Sequence, residues 1–174
     1  RKWDAGINQC LANHVDPRDP ACASDQVMVA TYVAWVRSES GPPPHLKCGR
    51  LSFRQGQCIR RLRLGWHSLA IQTGRFTGVP RSQRICVLCE AEQCVGEDKQ
   101  LPVEDMLHFL LECKVLHPVR DKFPTLFCPH SLPDSTAATH AKHVLNHTDQ
   151  YQVVCALHCM LQHRKACKEL LQSG

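Results

Sequence analysis

The sequence lacks a run of apolar residues long enough to cross a membrane, and its first residues contain no apolar segment of the kind that a secretory signal needs. The best apolar stretch, Val27 to Val36, is interrupted by Thr31 and ends at Arg37. Aromatic residues are sparse, at 6% of the chain. Motifs for a phosphate-binding loop, a dinucleotide-binding turn, a serine nucleophile and a magnesium-binding pair of aspartates are also missing. These absences argue against a membrane protein and against an enzyme.

Cysteine and histidine, in contrast, are abundant, with 12 and 11 residues among 174. Six disulfides in a secreted scaffold are one interpretation. The irregular cysteine spacing, the equal richness in histidine and the missing secretory signal favour metal binding in a reducing compartment instead. We therefore expect an intracellular metal-binding protein.

The net charge of +5 conceals a sharp segregation of charge along the chain. Residues 47–89, which we call the basic block, contain nine cations and no acid, whereas residues 90–113 contain seven acids and one lysine. The cations of the block are Lys47, Arg50, Arg54, Arg60, Arg61, Arg63, Arg75, Arg81 and Arg84. An arginine-rich block of this kind is typical of a surface that binds nucleic acid. The alternative is a solvated basic face that pairs with the acidic segment of the same chain.

Four residues have the spacing of a zinc site. Cys86 and Cys89 form a CxxC knuckle, and two thiolates on a tight turn can reach one ion. His108 and Cys113 follow, and we expect a helix that opens at Pro102 to carry His108 in its middle and Cys113 at or just past its end. Four protein ligands would make a closed, structural site with no position for a reactive water. We interpret Cys94, between the ligand pairs, as a loop thiol.

A second group of cysteines and histidines lies near the C-terminus, where Cys155, Cys159, His163 and Cys167 follow one another in steps of four. Such steps place side chains on one stripe of a helix. We expect this stripe to be a packed face, with a second metal site as the alternative.

The hydrophobic pattern predicts a mostly α-helical fold in three segments. These are an N-terminal segment (1–46) with one helix and a Pro-rich linker, a basic helical and zinc-binding segment (47–123), and a C-terminal helical tail (124–174). The predicted helices cover 25–38, 51–64, a short stretch from Ser68 that stops at Gly74, about 135–146 with Asp134 as N-cap, and 149–171.

Several motifs resemble the C-terminal zinc-binding region of reverse transcriptases from non-LTR retrotransposons. They are LRLGWHSL at 62–69, TGRF at 73–76, RICVLC at 84–89, VEDMLHFLLEC at 103–113, and Arg120. The resemblance covers residues 55–123. It implies that this segment is the non-catalytic tail of an RNA-directed DNA polymerase, which acts in the nucleus and cytoplasm and carries its polymerase and endonuclease domains upstream.

Together, the residues and the resemblance predict a tail that holds element RNA or target DNA, stabilised by one structural Zn²⁺ on Cys86, Cys89, His108 and Cys113. The predicted nucleic-acid contacts are Arg50, Arg54, Arg60, Arg61, Arg63, Arg75, Arg81 and Arg84, with Trp66, His67 and Phe76 as candidates for base stacking. The alternative function is a zinc-stabilised protein–protein interaction module.

Overall fold

The structure is a computed structural model that describes residues 44–65, 67–93, 100–127 and 136–173, together with Arg18, Tyr32 and Val36. In these residues the chain is mostly helical, and the one strand-like pairing is an isolated antiparallel bridge between Ile85 and Val103. The prediction of a mostly α-helical fold is therefore confirmed. The helix predicted over 25–38 lies outside the described residues except for Tyr32 and Val36, and so do Asp134, Trp66 and Cys94.

Seven α-helices are present in the described ranges. They are α1 (Phe53–Arg63), α2 (Ala70–Phe76), α3 (Val87–Ala91), α4 (His117–Arg120), α5 (Pro124–Phe127), α6 (Ala137–Leu145) and α7 (Gln150–Ser173). Short 3₁₀ turns cover Pro44–Leu46, Arg81–Gln83 and Lys114–Leu116, and a π-helical turn covers His108–Glu112.

A capping box starts α1. The N–H of Gln55 donates to the Ser52 hydroxyl, and the Gln55 side-chain oxygen accepts from the N–H of Ser52 at 2.9 Å. Gly65, with φ of 70°, ends the helical run because a left-handed conformation suits glycine. The helix predicted over 51–64 is confirmed with a start two residues later.

Gly74 does not stop the second helix, as the sequence predicted, but lies inside α2. A Cβ at this position would lie 2.7 Å from Cγ of Arg84. Glycine therefore leaves the room that the Arg84 side chain occupies against the helix. The chain turns instead at Gly78, whose φ is +71°. The prediction was wrong because glycine is found both where helices end and where a helix packs closely against a side chain, and the sequence does not distinguish these two cases.

The two C-terminal helices begin and end within two residues of their predicted bounds. Thr136 caps α6 by accepting from the N–H of Thr139. The long α7 packs against α1, α3, α4 and α6, and its buried face includes Val153, Leu157 and Met160. Core residues on both sides of the predicted division at 123/124 therefore form one hydrophobic cluster.

Candidate metal centre and basic surface

The structure brings the four predicted metal ligands together. All four residues are buried, and their ligand atoms lie within 4.8 Å of one another. The Cys113 Sγ is 3.9 Å from the Cys86 Sγ and 3.7 Å from the Cys89 Sγ, while the His108 Nε2 is 3.4 Å from the Cys89 Sγ. The sulfurs are too far apart for disulfides, whose S–S bond is about 2.05 Å. This cluster of three thiols and one imidazole could hold one metal ion.

Backbone pairing holds the two halves of the cluster together. The N–H of Cys86 donates to the Pro102 carbonyl at 2.9 Å, and the N–H of Glu104 donates to the Arg84 carbonyl at 2.8 Å. This pairing keeps residues 102–104 extended, so the helix does not open at Pro102 as predicted but begins at Met106.

Asp105 caps the helical segment that carries His108. Its carboxylate accepts a 2.8 Å hydrogen bond from the N–H of His108, the third residue of the segment. His108 therefore lies in the first turn rather than in the middle of a helix, and the cap fixes the backbone from which the imidazole projects.

The segment continues as a π-helical turn over His108–Glu112. The N–H of Cys113 donates to the His108 carbonyl at 2.7 Å, which closes a hydrogen bond across five residues. A π turn is wider than an α turn, so it brings residues five apart onto one side. Cys113 lies just past the helical end, as predicted, and the π turn is the feature that aligns it with His108.

Residues 104–113, which carry His108 and Cys113, are called the metal segment. Glu104 is fully buried and joins this segment to two other parts of the fold. One of its oxygens accepts from Nη2 of Arg164 at 2.6 Å and from the N–H of Ala70 at 2.6 Å, and the other accepts from Nε of Arg164. The pair thereby connects the metal segment to α7 and to the first residue of α2. No signal in the sequence marks Arg164 as the partner, because 60 residues separate the two.

Arg18 clamps the outer side of the metal segment. Its guanidinium donates to both oxygens of Asp105, at 2.7 and 3.0 Å, and to both oxygens of Glu112, at 2.8 and 2.9 Å. Burial by itself would lower the pKa of Arg18, but the hydrogen bonds and charges of the two carboxylates outweigh burial and raise the pKa. Sequence reasoning missed Arg18, which lies in the segment for which it found no diagnostic motif.

Arg120 lies on the inner side of the cluster. It is 6% exposed, and its Nη2 donates to the Cys113 carbonyl at 2.6 Å. Hydrogen bonds from the thiols of Cys86 and Cys89 lower the pKa of Cys113. The buried guanidinium of Arg120 thus bonds to the backbone of a residue whose thiol favours the charged form.

The arginines of the basic block differ in exposure. Arg50, Arg54 and Arg61 are exposed, and Arg60, Arg75, Arg81 and Arg84 are half-buried. Arg50 lies over the ring of Tyr151 at 5.1 Å from its centre. Of the three residues considered for base stacking, Phe76 is exposed, His67 is half-buried and Trp66 lies outside the described residues.

Arg63 corrects the sequence prediction of a nucleic-acid contact. The residue is 3% exposed, and its guanidinium donates to the carbonyls of Val36 and Leu145 and to the side-chain oxygen of Asn146. Burial lowers the pKa of Arg63 to about 10, so the group stays charged near neutral pH. Arg63 therefore holds segments of the fold together and offers no free charge to a phosphate.

Arg84 is also committed to the fold in part. Its Nε donates to the Val79 carbonyl and its Nη1 to the Ile71 carbonyl, both at 2.9 Å. These bonds connect Arg84, which lies two residues before the metal ligand candidate Cys86, to α2 and to the turn that follows α2.

The described acids next to the metal cluster find their partners outside the basic block. Glu104, Asp105 and Glu112 pair with Arg164 and Arg18. Among the described residues, no ion pair joins an arginine of the block to an acid. The exposed charges of the block are thus not neutralised by this part of the acidic segment.

The C-terminal stripe of cysteines and histidine is not the packed face of α7. Cys159 and His163 are exposed, whereas Cys155 and Cys167 are half-buried. The buried face runs instead through Val153, Leu157, Met160 and Arg164. Cys155 lies two residues, or about 200° around the helix, from both Val153 and Leu157, so the stripe starts on the side opposite the packed face.

Comparisons of the chain with protein-family models, with curated proteins and with solved structures find no match. None of the described helices is both long enough and apolar enough to span a membrane.

Proposed function

We propose that the ion held by Cys86, Cys89, His108 and Cys113 is Zn²⁺ and that its role is structural. Zn–S bonds of about 2.3 Å and Zn–N bonds of about 2.0–2.1 Å in a tetrahedron put two sulfurs about 3.8 Å apart and a sulfur and a nitrogen about 3.6 Å apart. The observed separations of 3.9, 3.7 and 3.4 Å agree with this geometry. Three thiolates and one imidazole are a common set for structural zinc.

The charge around the cluster supports the same identity. Zn²⁺ with three thiolates and a neutral imidazole carries one net negative charge, and the buried guanidinium of Arg120 lies where it offsets that charge. Four protein ligands complete a tetrahedral shell, so we expect no water on the ion and no catalysis at this site.

We further propose that the chain binds nucleic acid through the exposed arginines of the basic block. Arg54 and Arg61 carry the proposal, because both are exposed on α1 and neither is paired with a described acid. Guanidinium groups bind phosphates in a bidentate way, and a surface of one sign attracts a polyanion.

The resemblance to the C-terminal region of non-LTR retrotransposon reverse transcriptases adds a context to this proposal. In that context the chain holds element RNA or target DNA for a polymerase domain of the same polyprotein. The metal cluster would stabilise the helices that present the arginines, through the Glu104–Arg164 pair between the metal segment and α7.

The test is the salt dependence of binding. Three phosphate contacts, by Arg50, Arg54 and Arg61, would give a slope of log affinity against log salt of about −2 on single strands and about −2.7 on duplex DNA. Titration of unrelated RNA and DNA sequences with the zinc-loaded chain measures this slope. Absence of binding at low salt would refute the proposal.

Docking of a protein partner is a second candidate, favoured by the exposed aromatic side chains of Phe53 (74%) and Phe76 (77%). A protein interface built on them would depend weakly on salt. Replacement of Phe53 and Phe76 by serine would abolish partner capture and leave the salt slope for nucleic acid unchanged.

A further inference from the structure

A cleft of about 450 Å³ opens between α1, α7 and the loop before α2. Its lining residues are Arg54, Gln57, Cys58, Arg61, Leu62, His67, Ser68 and Leu161. The volume lies in the range of about 300–1,000 Å³ that is usual for sites that enclose small molecules. None of the four metal ligands lines this cleft, so the two features are separate.

The helix period explains why α1 forms one wall of the cleft. The α1 residues that line it are spaced at i, i+3, i+4, i+7 and i+8, which is one continuous face of a helix. On that face, Leu62 is 2% exposed and Cys58 is half-buried, and the flanking residues include Arg54 and Arg61. The face is thus apolar along its middle and cationic at its edges.

The opposite side adds one apolar contact and two polar groups. Leu161 of α7 is half-buried and completes the floor, while His67 and Ser68 come from the loop before α2. The Nδ1 of His67 accepts from the N–H of Leu69, which leaves the proton on Nε2 in this tautomer. Burial lowers the pKa of His67 to about 4, so the ring is neutral near pH 7.

We propose that this cleft binds one unpaired nucleotide of a nucleic-acid strand, with the base against Cys58 and Leu161 and the flanking phosphates on Arg54 and Arg61. The assignment rests on the proposed function and specifies its ligand as single-stranded. An apolar floor between two guanidiniums suits a base with phosphates on either side. None of the eight described residues that line the cleft is acidic, so these residues do not repel a phosphate backbone.

A single strand fits this shape and a duplex does not. The bases of a duplex are stacked and paired, and only their edges are accessible in the grooves. Unpaired bases can leave the stack and enter a concave site, where side-chain donors and acceptors read their edges. Gln57, His67 and Ser68 supply such groups around the floor of the cleft.

Cys58 allows a test on the unmodified protein. The zinc-loaded chain is alkylated with a maleimide in the presence of a single-stranded RNA, the corresponding duplex, or a nucleoside monophosphate at equal phosphate concentration. Peptide mass spectrometry then gives the rate at Cys58, with the exposed Cys159 as the internal control. At matched occupancy, we expect the single strand to slow alkylation of Cys58 several-fold more than the duplex does, and the mononucleotide to leave it unchanged.

A matched pair of variants tests the same cleft without a change of charge. Ser68→Trp fills the cleft, whereas Ser82→Trp places the same bulk on an exposed residue that does not line it. We expect Ser68→Trp to weaken single-strand binding about tenfold, the effect of losing one base contact, and Ser82→Trp to have no effect. The salt slope should stay negative in both variants.

The outcomes separate this inference from the proposed function. Nucleic-acid binding with an unprotected Cys58 and an unaffected Ser68→Trp variant would overturn the cleft assignment and leave the function in place. Protection by the mononucleotide and not by the strand, or equal protection by the duplex, would overturn the assignment to an unpaired strand. No binding to any nucleic acid would overturn both.

Discussion

The backbone N–H of Cys113 donates to the carbonyl of His108, five residues earlier in the chain, at 2.7 Å. An ideal α-helix rotates by about 500° over five residues and would point the two side chains in different directions. The wider π turn removes most of this mismatch, so a single local irregularity makes an HxxxxC pair usable for metal binding. Irregular turns of this type occur often at functional sites.

Loss of one thiolate should remove the metal and unfold the domain. We expect Cys89→Ser to lose about one equivalent of zinc per chain and to lower the melting temperature, because metal binding and folding are coupled. Cys159→Ser, a change of an exposed thiol outside the cluster, is the matched control. Metal analysis and thermal unfolding measure both effects. Full zinc content in both Cys86→Ser and Cys113→Ser would refute the ligand assignment.

The buried pair of Glu104 and Arg164 should be a large contributor to stability. Glu104→Gln leaves the Arg164 charge buried without its counterion, and such a loss costs about 3–5 kcal/mol in the free energy of unfolding. Glu169→Gln breaks the exposed pair with Lys165 and should change little. Urea unfolding of the zinc-loaded variants compares the two, and equal midpoints would contradict the prediction.

Arg61 and Arg63 should have different roles, the first in binding phosphate and the second in stabilising the fold. We expect Arg61→Ala to leave the melting temperature unchanged and to make the salt slope on single strands shallower by about 0.7, the share of one phosphate contact. Arg63→Ala should remove three hydrogen bonds from inside the fold, leave the Asn146 Oδ1 without its donor, and destabilise the fold by about 2 kcal/mol. Thermal unfolding and salt titration of both variants test this separation, and a shallower slope in folded Arg63→Ala would contradict it.

A methyl group at residue 74 should destabilise α2. In Gly74→Ala the new Cβ would lie 2.7 Å from Cγ of Arg84 and displace the side chain that bonds to Val79 and Ile71. Overpacking of this kind costs about 1–3 kcal/mol. Gly49→Ala is the control, because a Cβ added there would meet no atom within 4 Å. Gly74→Ala should therefore unfold at a lower denaturant concentration than Gly49→Ala.

Stability should fall as the pH falls below the ordinary pKa of histidine. Burial, followed by the charges of Arg63 and Arg60, lowers the pKa of His45 to about 4 from 6.5. The folded state therefore favours neutral His45, and its contribution is complete above pH 6.5 and is lost progressively toward pH 4. His45→Phe should reduce the loss of stability between neutral pH and about pH 5. An identical pH profile for both proteins would refute this role of His45.

The sequence predicted the elements and ligands whose signals are local. The bounds of α6 and α7 follow from hydrophobic periodicity, and the four candidate metal ligands follow from the spacing of Cys86, Cys89, His108 and Cys113. Gly65, which ends the helical run, is an equally local signal, and it set the predicted end of α1. The Ser52 cap was not part of the prediction, so the predicted start is two residues early.

What the sequence could not predict depends on contacts between distant residues. Arg63 looks like any other arginine of the block, and only the packing of Val36 and Leu145 around it shows that it is buried. The partners of Glu104 and Asp105, which are Arg164 and Arg18, lie 60 and 87 residues away. No local pattern encodes such separations.

The clamp by Arg18 has a consequence for the shortest piece of this chain that can fold around its metal. A fragment that begins at residue 44 would keep all four ligands and every described helix, yet it would leave the carboxylates of Asp105 and Glu112 facing each other without the guanidinium between them. Mutual repulsion of the two carboxylates would then act on the helical segment that spans His108. We therefore expect a fragment that begins at residue 44 to be less stable than the full chain.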